Sequence, residues 1–138
     1  MTDRHTPEQR RFNMQQIKSK NTKPEILFRK LLFAKGFRYK INDKNLPGKP
    51  DLVLKKYKTV IFVNGCFWHG HKDCKYFVIP KTRTEFWVEK IQGNISRDNI
   101  NESKLLEMGW NIITVWECQL KKQNIENTTT MVINQLKK

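Results

Sequence analysis

The chain has 138 residues, with 27 Lys and Arg against 13 Asp and Glu, and so a net charge of +14. A length of this order fits one domain, whose folding buries roughly two-thirds of the surface of the unfolded chain, so one hydrophobic core suffices without disulfide staples. The polar start MTDRHTPEQRRFN, and the lack of any run approaching about 18 apolar residues, argue against a signal segment or a membrane span and predict a soluble, unprocessed, cytoplasmic protein.

The positive charge is spread along the chain rather than gathered in a tail. Such an excess repels itself in the compact state and is relieved by a polyanion. Nucleic acid is therefore the first expected partner, and an acidic membrane surface the second. The three cysteines, Cys66, Cys74 and Cys118, are odd in number. Buried thiols or metal ligands are expected in place of a disulfide framework.

In chain order, residues 1–23 carry Phe12, Met14 and Ile17 among Arg, Lys, Gln and Asn. The spacing of Met14, Ile17 and Lys18 allows a short helix, in an N-terminal arm that can order on a partner. Residues 24–138 read as a single domain. Pro24 to Lys35 is a helix, with Phe28, Leu31, Leu32 and Lys35 on one face and Gly36 as the stop. FRYKI (37–41) reads as a strand and NLPGKP (45–50) as a loop.

The runs Asp51-Leu-Val-Leu and Thr59-Val-Ile-Phe-Val are apolar and β-branched, joined by the polar KKYK, so adjacent buried strands are expected. Thr82, three residues before Glu85, suggests a capping box that opens a helix in TRTEFW. That helix weakens at Gly93, resumes over NISRDNINESKLLEMG and stops at Gly109. WNIITVWE is a third buried strand with Cys118 just past its end, and residues 125–136 form a closing helix. The order α, β, β, β, α, β, α predicts an α/β fold, one central sheet with helices packed on it.

Chemistry concentrates in NGCFWHGHKDC, residues 64–74. Cys66, His71 and Cys74 are three good zinc ligands within one loop, and Cys118 can complete a closed Cys3His set. A closed set is structural, because no coordination position stays open for substrate. On spacing alone His69 or Asp73 can stand in for His71, and the blander alternative is that the thiols are small buried hydrophobes.

Asp51 stands at the start of a buried strand, after a loop, where a carboxylate can face a cleft and hold the Mg2+ that phosphodiester cleavage uses to offset charge on phosphate. Its alternative is a turn cap. His69, Glu25 and Asp98 are further candidates. Glu25 is also explained by the helix dipole, and Asp98, beside Arg97, by a solvated ion pair.

The segments LPGKPDLV, VIFVNGCFWHGH, TRTEFWVEKIQGN with its following RD, and GWNIITVWEC resemble the very short patch repair (Vsr-type) DNA mismatch endonucleases. The resemblance runs from about Asn13 to Cys118. It implies a restriction-endonuclease-like fold with a mixed central sheet flanked by helices, and one structural Zn2+. It also implies Mg2+-dependent nicking of one strand 5′ to the T of a T:G mismatch, the lesion left when 5-methylcytosine deaminates. Under this resemblance Asp51 and the carbonyl of Val63 hold Mg2+, His69 is the catalytic histidine, Glu25 and Asp98 are supporting acids, and Cys66, His71, Cys74 and Cys118 ligate zinc. Phe67, Trp68 and Trp87 intercalate beside the mismatch, with Met14 on a DNA-contacting arm, residues 1–23, opposite them.

Asn64, at a catalytic position, departs from the family pattern, as does Val63: the usual pair is Thr-His. Asn64 can hydrogen-bond at phosphate but cannot carry a proton, so proton transfer falls to His69 or to water. The partners so implied are T:G-mismatched duplex DNA and mismatch-repair proteins, for a monomer that works at the nucleoid and away from membranes. Two alternatives stay open: a zinc-stabilised module that binds distorted DNA without cutting, and a related nuclease of different DNA specificity.

Overall fold

The computed structural model describes residues 22–138, so Met14, the short helix expected near it and most of the 1–23 arm lie outside the described residues. Helix α1 spans Lys23–Ala34, with Pro24 in its first turn, where a missing N–H costs nothing. Thr22 caps it, its Oγ1 accepting from the backbone N–H of Glu25 at 3.4 Å. Gly36 ends it in the left-handed region, at φ +92°. The strand expected over residues 37–41 shortens to β1, Lys40–Ile41. The reason is that Phe37 turns into the core and the Tyr39 hydroxyl donates to the Arg29 carbonyl at 2.9 Å, tying this segment to α1 instead of to a ladder.

Strands β2 (Leu52–Leu54) and β3 (Thr59–Asn64) flank a single 3-10 turn, Lys55–Tyr57. After a loop come α2 (Thr84–Glu107), β4 (Asn111–Trp116), a 3-10 turn (Glu117–Leu120) and α3 (Ile125–Leu136). The expected capping box does not open α2. Arg83 holds the cap position in a left-handed conformation, without a side-chain cap, while Thr84 Oγ1 donates back to the carbonyls of Pro80 and Lys81 at 2.9 and 3.1 Å. Gly93 does not weaken α2 visibly either: the helix runs unbroken through its 24 residues.

The strand order is β1-β2-β3-β4, antiparallel across the first two pairs and parallel between β3 and β4, where α2 provides the crossover. Alternation along the strands sends residues to two faces. Leu52, Leu54, Ile61, Ile113 and Val115 pack with Phe28 and Leu32 of α1 and Val132 and Leu136 of α3. Val53 and Val60 point the other way, onto Leu105 of α2 and Trp110. The result is an α/β mixed sheet flanked by helices. Among the described residues no helix is long and apolar enough to cross a membrane.

Register places the chemistry. In the parallel pair Asn64 lies opposite Trp116, so Cys66 and Cys118 each fall two residues beyond the last matched pair. In the antiparallel pair Leu52 lies opposite Ile61, which leaves Asp51 one step beyond the strand, level with Phe62 and within reach of the Val63 N–H. Both consequences converge at the C-terminal end of β3.

Candidate active site and metal centre

The loop after β3 folds as consecutive turns. His69 N–H donates to Gly65 O at 3.1 Å, His71 N–H to Cys66 O at 2.9 Å and Phe77 N–H to Cys74 O at 3.0 Å. These turns gather Cys66, His71 and Cys74 on one side, and Cys118 arrives from the end of β4. The four ligand atoms lie within 4.8 Å of one another, and the cluster could hold a metal ion. His71 is the imidazole in the set. Asp73 is exposed, and His69 is engaged elsewhere.

The electrostatics of the cluster suit a cation. Burial pushes the Cys66 thiol up to about 12, even though the Cys118 N–H donates to its sulfur at 3.3 Å. Burial likewise raises Cys118, whereas at Cys74 burial is outweighed by backbone hydrogen bonds from Tyr76 and Phe77 and by the neighbouring thiols, so that thiol falls below its ordinary value. Thiolates gathered this closely repel one another, and a divalent cation at their centre removes the conflict. The His71 ring is held flat against Trp116, centroids 4.1 Å apart and planes 6° apart, with Nδ1 3.5 Å from Cys118 Sγ.

On the other side of the same loop lies a cleft of about 340 Å³, lined among others by Glu25, Val63, Asn64, His69 and Glu117. His69 Nδ1 is 2.6 Å from Asp98 Oδ2 of α2. A neutral imidazole that donates its Nδ1 proton to such a carboxylate has its Nε2 lone pair left to act as a base. The alternative reading of Asp98 as a solvated ion-pair partner of Arg97 gives way to this contact, and Arg97 turns to the Asn94 side chain. Asp51 is 1% exposed and does not line the cleft directly. Its Oδ2 accepts the Val63 N–H at 2.6 Å, which joins the carboxylate to the strand end that does. Glu25, 4% exposed, is paired with Arg29 one turn along α1.

Phe67, Trp68 and Trp87 come together. Phe67 packs edge to face on Trp68 and Trp87, with centroids 5.1 and 5.5 Å away, and the two tryptophans are 5.9 Å apart. None of the three belongs to either core cluster, and all are half-buried. Phe77 and Phe86 extend the group, at 6.4 Å from Phe67 and 5.1 Å from Trp87.

Several positioning residues escape the sequence reading. Ile91, Asn94 and Ile95 are on the same face of α2 as the already expected Asp98, at helical spacing, and the loop lies on that face. Asn94 Nδ2 donates to the Trp68 carbonyl at 2.7 Å. Gly70, at φ +61°, approaches so closely that a Cβ there would sit 2.9 Å from both Ile91 Cγ2 and Ile95 Cδ1. Trp116 and Glu117 are missed too, although their place next to Cys118 was a signal. Arg29 is four residues from Glu25, the ordinary helical ion-pair spacing, and was readable on that ground.

A family model described as DNA mismatch endonuclease Vsr matches residues 2–76. The chain is 55% identical over 125 residues to the type II nicking enzyme V.NmeAIP of Neisseria meningitidis, covering 91% of this chain and 89% of that one. It is 48% identical over 120 residues to the type II nicking enzyme V.XorIIP of Xanthomonas oryzae, covering 87% and 88%. With the DNA mismatch endonuclease Vsr of Escherichia coli it shares 45% over 121 residues, 88% of this chain and 77% of that protein. On the match of its own loop and strand segments and on this extent of identity, the chain belongs to the Vsr family of DNA mismatch endonucleases.

Proposed function

We propose that this chain is a DNA endonuclease that nicks one strand of a duplex, 5′ to the T of a T:G mismatch, in the repair of deaminated 5-methylcytosine. The observation that carries the reading is the 2.6 Å contact of His69 with Asp98 on the cleft shared by Glu25, Val63 and Asn64, directly beside a half-exposed aromatic cluster. A base held by a carboxylate suits hydrolysis of a phosphodiester, and apolar rings beside it suit a base step that is already weakly paired.

The Asp51 carboxylate and the Val63 carbonyl are hard oxygen ligands of the kind Mg2+ takes and fit that ion better than zinc, with Glu25 as a supporting acid. Bound there, Mg2+ would supply charge stabilisation at the scissile phosphate. His69 Nε2 accepts the proton of the attacking water, and Asp98 holds the imidazole in the tautomer that can do so. Asn64 contributes hydrogen bonds to phosphate and no proton transfer. Arg29 holds the Glu25 carboxylate at the cleft. The soft Cys66, His71, Cys74 and Cys118 set fits zinc in a closed, structural role. Phe67, Trp68 and Trp87 form the wedge against the base stack.

End-labelled duplexes carrying T:G, other mismatches or matched pairs, incubated with Mg2+, test this reading. T:G duplex is cut in the T strand alone, and Asp51→Ala lowers the rate at least about a thousandfold while binding persists. Equal cutting of matched DNA would indicate a nuclease of different specificity, and binding without nicking would indicate a non-cleaving module.

A further inference from the structure

A second concavity, of about 430 Å³, lies on the far side of the metal cluster from the cleft. Its walls come from the loop after β3, from the 3-10 turn after β4 with the residues that follow it, and from the start of α3, and include Lys75, Tyr76, Gln119, Lys121, Asn124 and Asn127. Lys75 and Lys121 both bring their ammonium groups to the Tyr76 ring, 5.2 and 4.8 Å from its centroid. Two like charges on one ring repel each other, and an anion between or above them relieves that repulsion. Among the described residues no carboxylate lines this concavity, in contrast to the cleft, which holds Glu25 and Glu117.

Tyr76 lines both features, while of the metal cluster Cys66 lines the cleft and Cys74 and Cys118 line the concavity. A strand leaving the cleft across Tyr76 therefore meets Lys75 and Lys121 next, with the amides of Gln119, Asn124 and Asn127 behind them. Two ammonium groups with amides beside them and no carboxylate suit an anion and do not suit a metal ion, and the phosphodiester backbone is the part of a duplex whose charge both lysines complement.

We propose that the Lys75–Tyr76–Lys121 concavity binds the phosphate backbone of the substrate duplex on one flank of the nick, as a sequence-independent anchor outside the catalytic cleft. The proposal rests on the reading of the chain as a DNA endonuclease. It assigns the anchor to position and affinity, while discrimination of the mismatch stays with the cleft and the aromatic cluster.

The test compares the full chain with the double variant Lys75→Gln/Lys121→Gln, and with Lys55→Gln/Lys56→Gln at the opposite end of the sheet, which removes the same charge. Binding of T:G and of matched duplexes is followed by fluorescence anisotropy across a salt series, with circular dichroism melting as a folding control. For Lys75→Gln/Lys121→Gln the slope of log K against log salt becomes shallower by about 1.8, two phosphate contacts at about 0.9 each, equally on both duplexes. Trimming the duplex on one flank removes the difference from the unaltered chain, and trimming the other does not. An unchanged slope, or an equal change in the Lys55→Gln/Lys56→Gln control, overturns the proposal. Loss of T:G preference in the unaltered chain would instead count against the mismatch reading, and leave the backbone anchor standing.

Discussion

The two sides of the loop after β3 differ in almost every physical respect, although their residues alternate within eleven positions. The Cys66, His71, Cys74 and Cys118 side is a closed gathering of soft ligands, with Cys66 buried and its thiol pushed up to about 12 by that burial. The His69 side faces a cleft lined among others by Glu25 and Glu117, and its single imidazole contacts the Asp98 carboxylate. Turn formation separates them: the hydrogen bond from His71 N–H to Cys66 O closes a ring that leaves Phe67, Trp68 and His69 on its outer arc. Under the proposed function a segment of this length is rigid and reactive at once, because the proposed zinc ligands gather at the cluster while His69, Phe67 and Trp68 line the cleft.

Taking away the zinc proposed for this cluster is the most severe way to break this division, since closed zinc sites contribute on the order of 10 kcal/mol to folding. One zinc per chain is expected by elemental analysis. Chelation, or Cys66→Ser, lowers the melting temperature sharply and abolishes nicking even with Mg2+ present. A metal-free protein with an unchanged melting curve would remove the rigid side of the comparison altogether.

On the reactive side, His69→Ala lowers the nicking rate about 10²–10⁴-fold while leaving zinc content and melting unchanged. Asp98→Asn has a smaller effect of the same kind, because it releases the imidazole instead of deleting it. Loss of zinc in His69→Ala would show that the two sides are not separable.

The seam between loop and α2 is next in size. Gly70→Ala brings a Cβ into Ile91 and Ile95 at a left-handed backbone position, and is expected to cost about 1–3 kcal/mol in a denaturant titration. Its nicking rate falls more than its stability alone explains, because Trp68 and His69 are carried on the displaced turn.

The smallest effect concerns Glu102, one turn beyond Asp98 on α2. Burial and then the Asp98 charge raise its carboxyl above the ordinary value. Ionised Glu102 therefore costs the folded state at pH values above that raised pKa, and costs nothing once both folded and unfolded states are protonated. Glu102→Gln should stabilise the protein by about 0.2–0.5 kcal/mol near neutrality, and the gain should vanish as pH falls below the ordinary carboxylate range. A gain that persists in acid would place its cause in packing and leave the His69–Asp98 contact out of it.

Much of this architecture was legible because short-range physics writes it locally. β3 and β4 are near-continuous apolar, β-branched runs, and α1 and α3 carry their core residues at helical spacing. Where local signals compete, the reading failed. Thr82 and Glu85 have the spacing of a capping box, but the chain enters α2 through a left-handed Arg83 that puts the cap out of reach. FRYKI has strand composition, yet Phe37 and Tyr39 gain more from the core and from α1 than from ladder bonds. Gly93 lowers helix propensity by about 1 kcal/mol, a local cost that the flanking turns of α2 absorb.

By itself the sequence determined the inventory: a basic α/β domain, three cysteines and a histidine at ligand spacing, and acids and aromatics collected in a few segments. Only the tertiary structure decided which of them meet. Cys118 reaches Cys66 across 52 residues because parallel pairing matches Asn64 with Trp116 and carries the same offset past both strand ends. Asp98 leaves Arg97 for His69 because the loop is pressed onto one face of α2 at Gly70. Spacing along a chain fixes contacts within a turn or a helix, whereas contacts between elements follow from register and packing, which no short window of sequence contains.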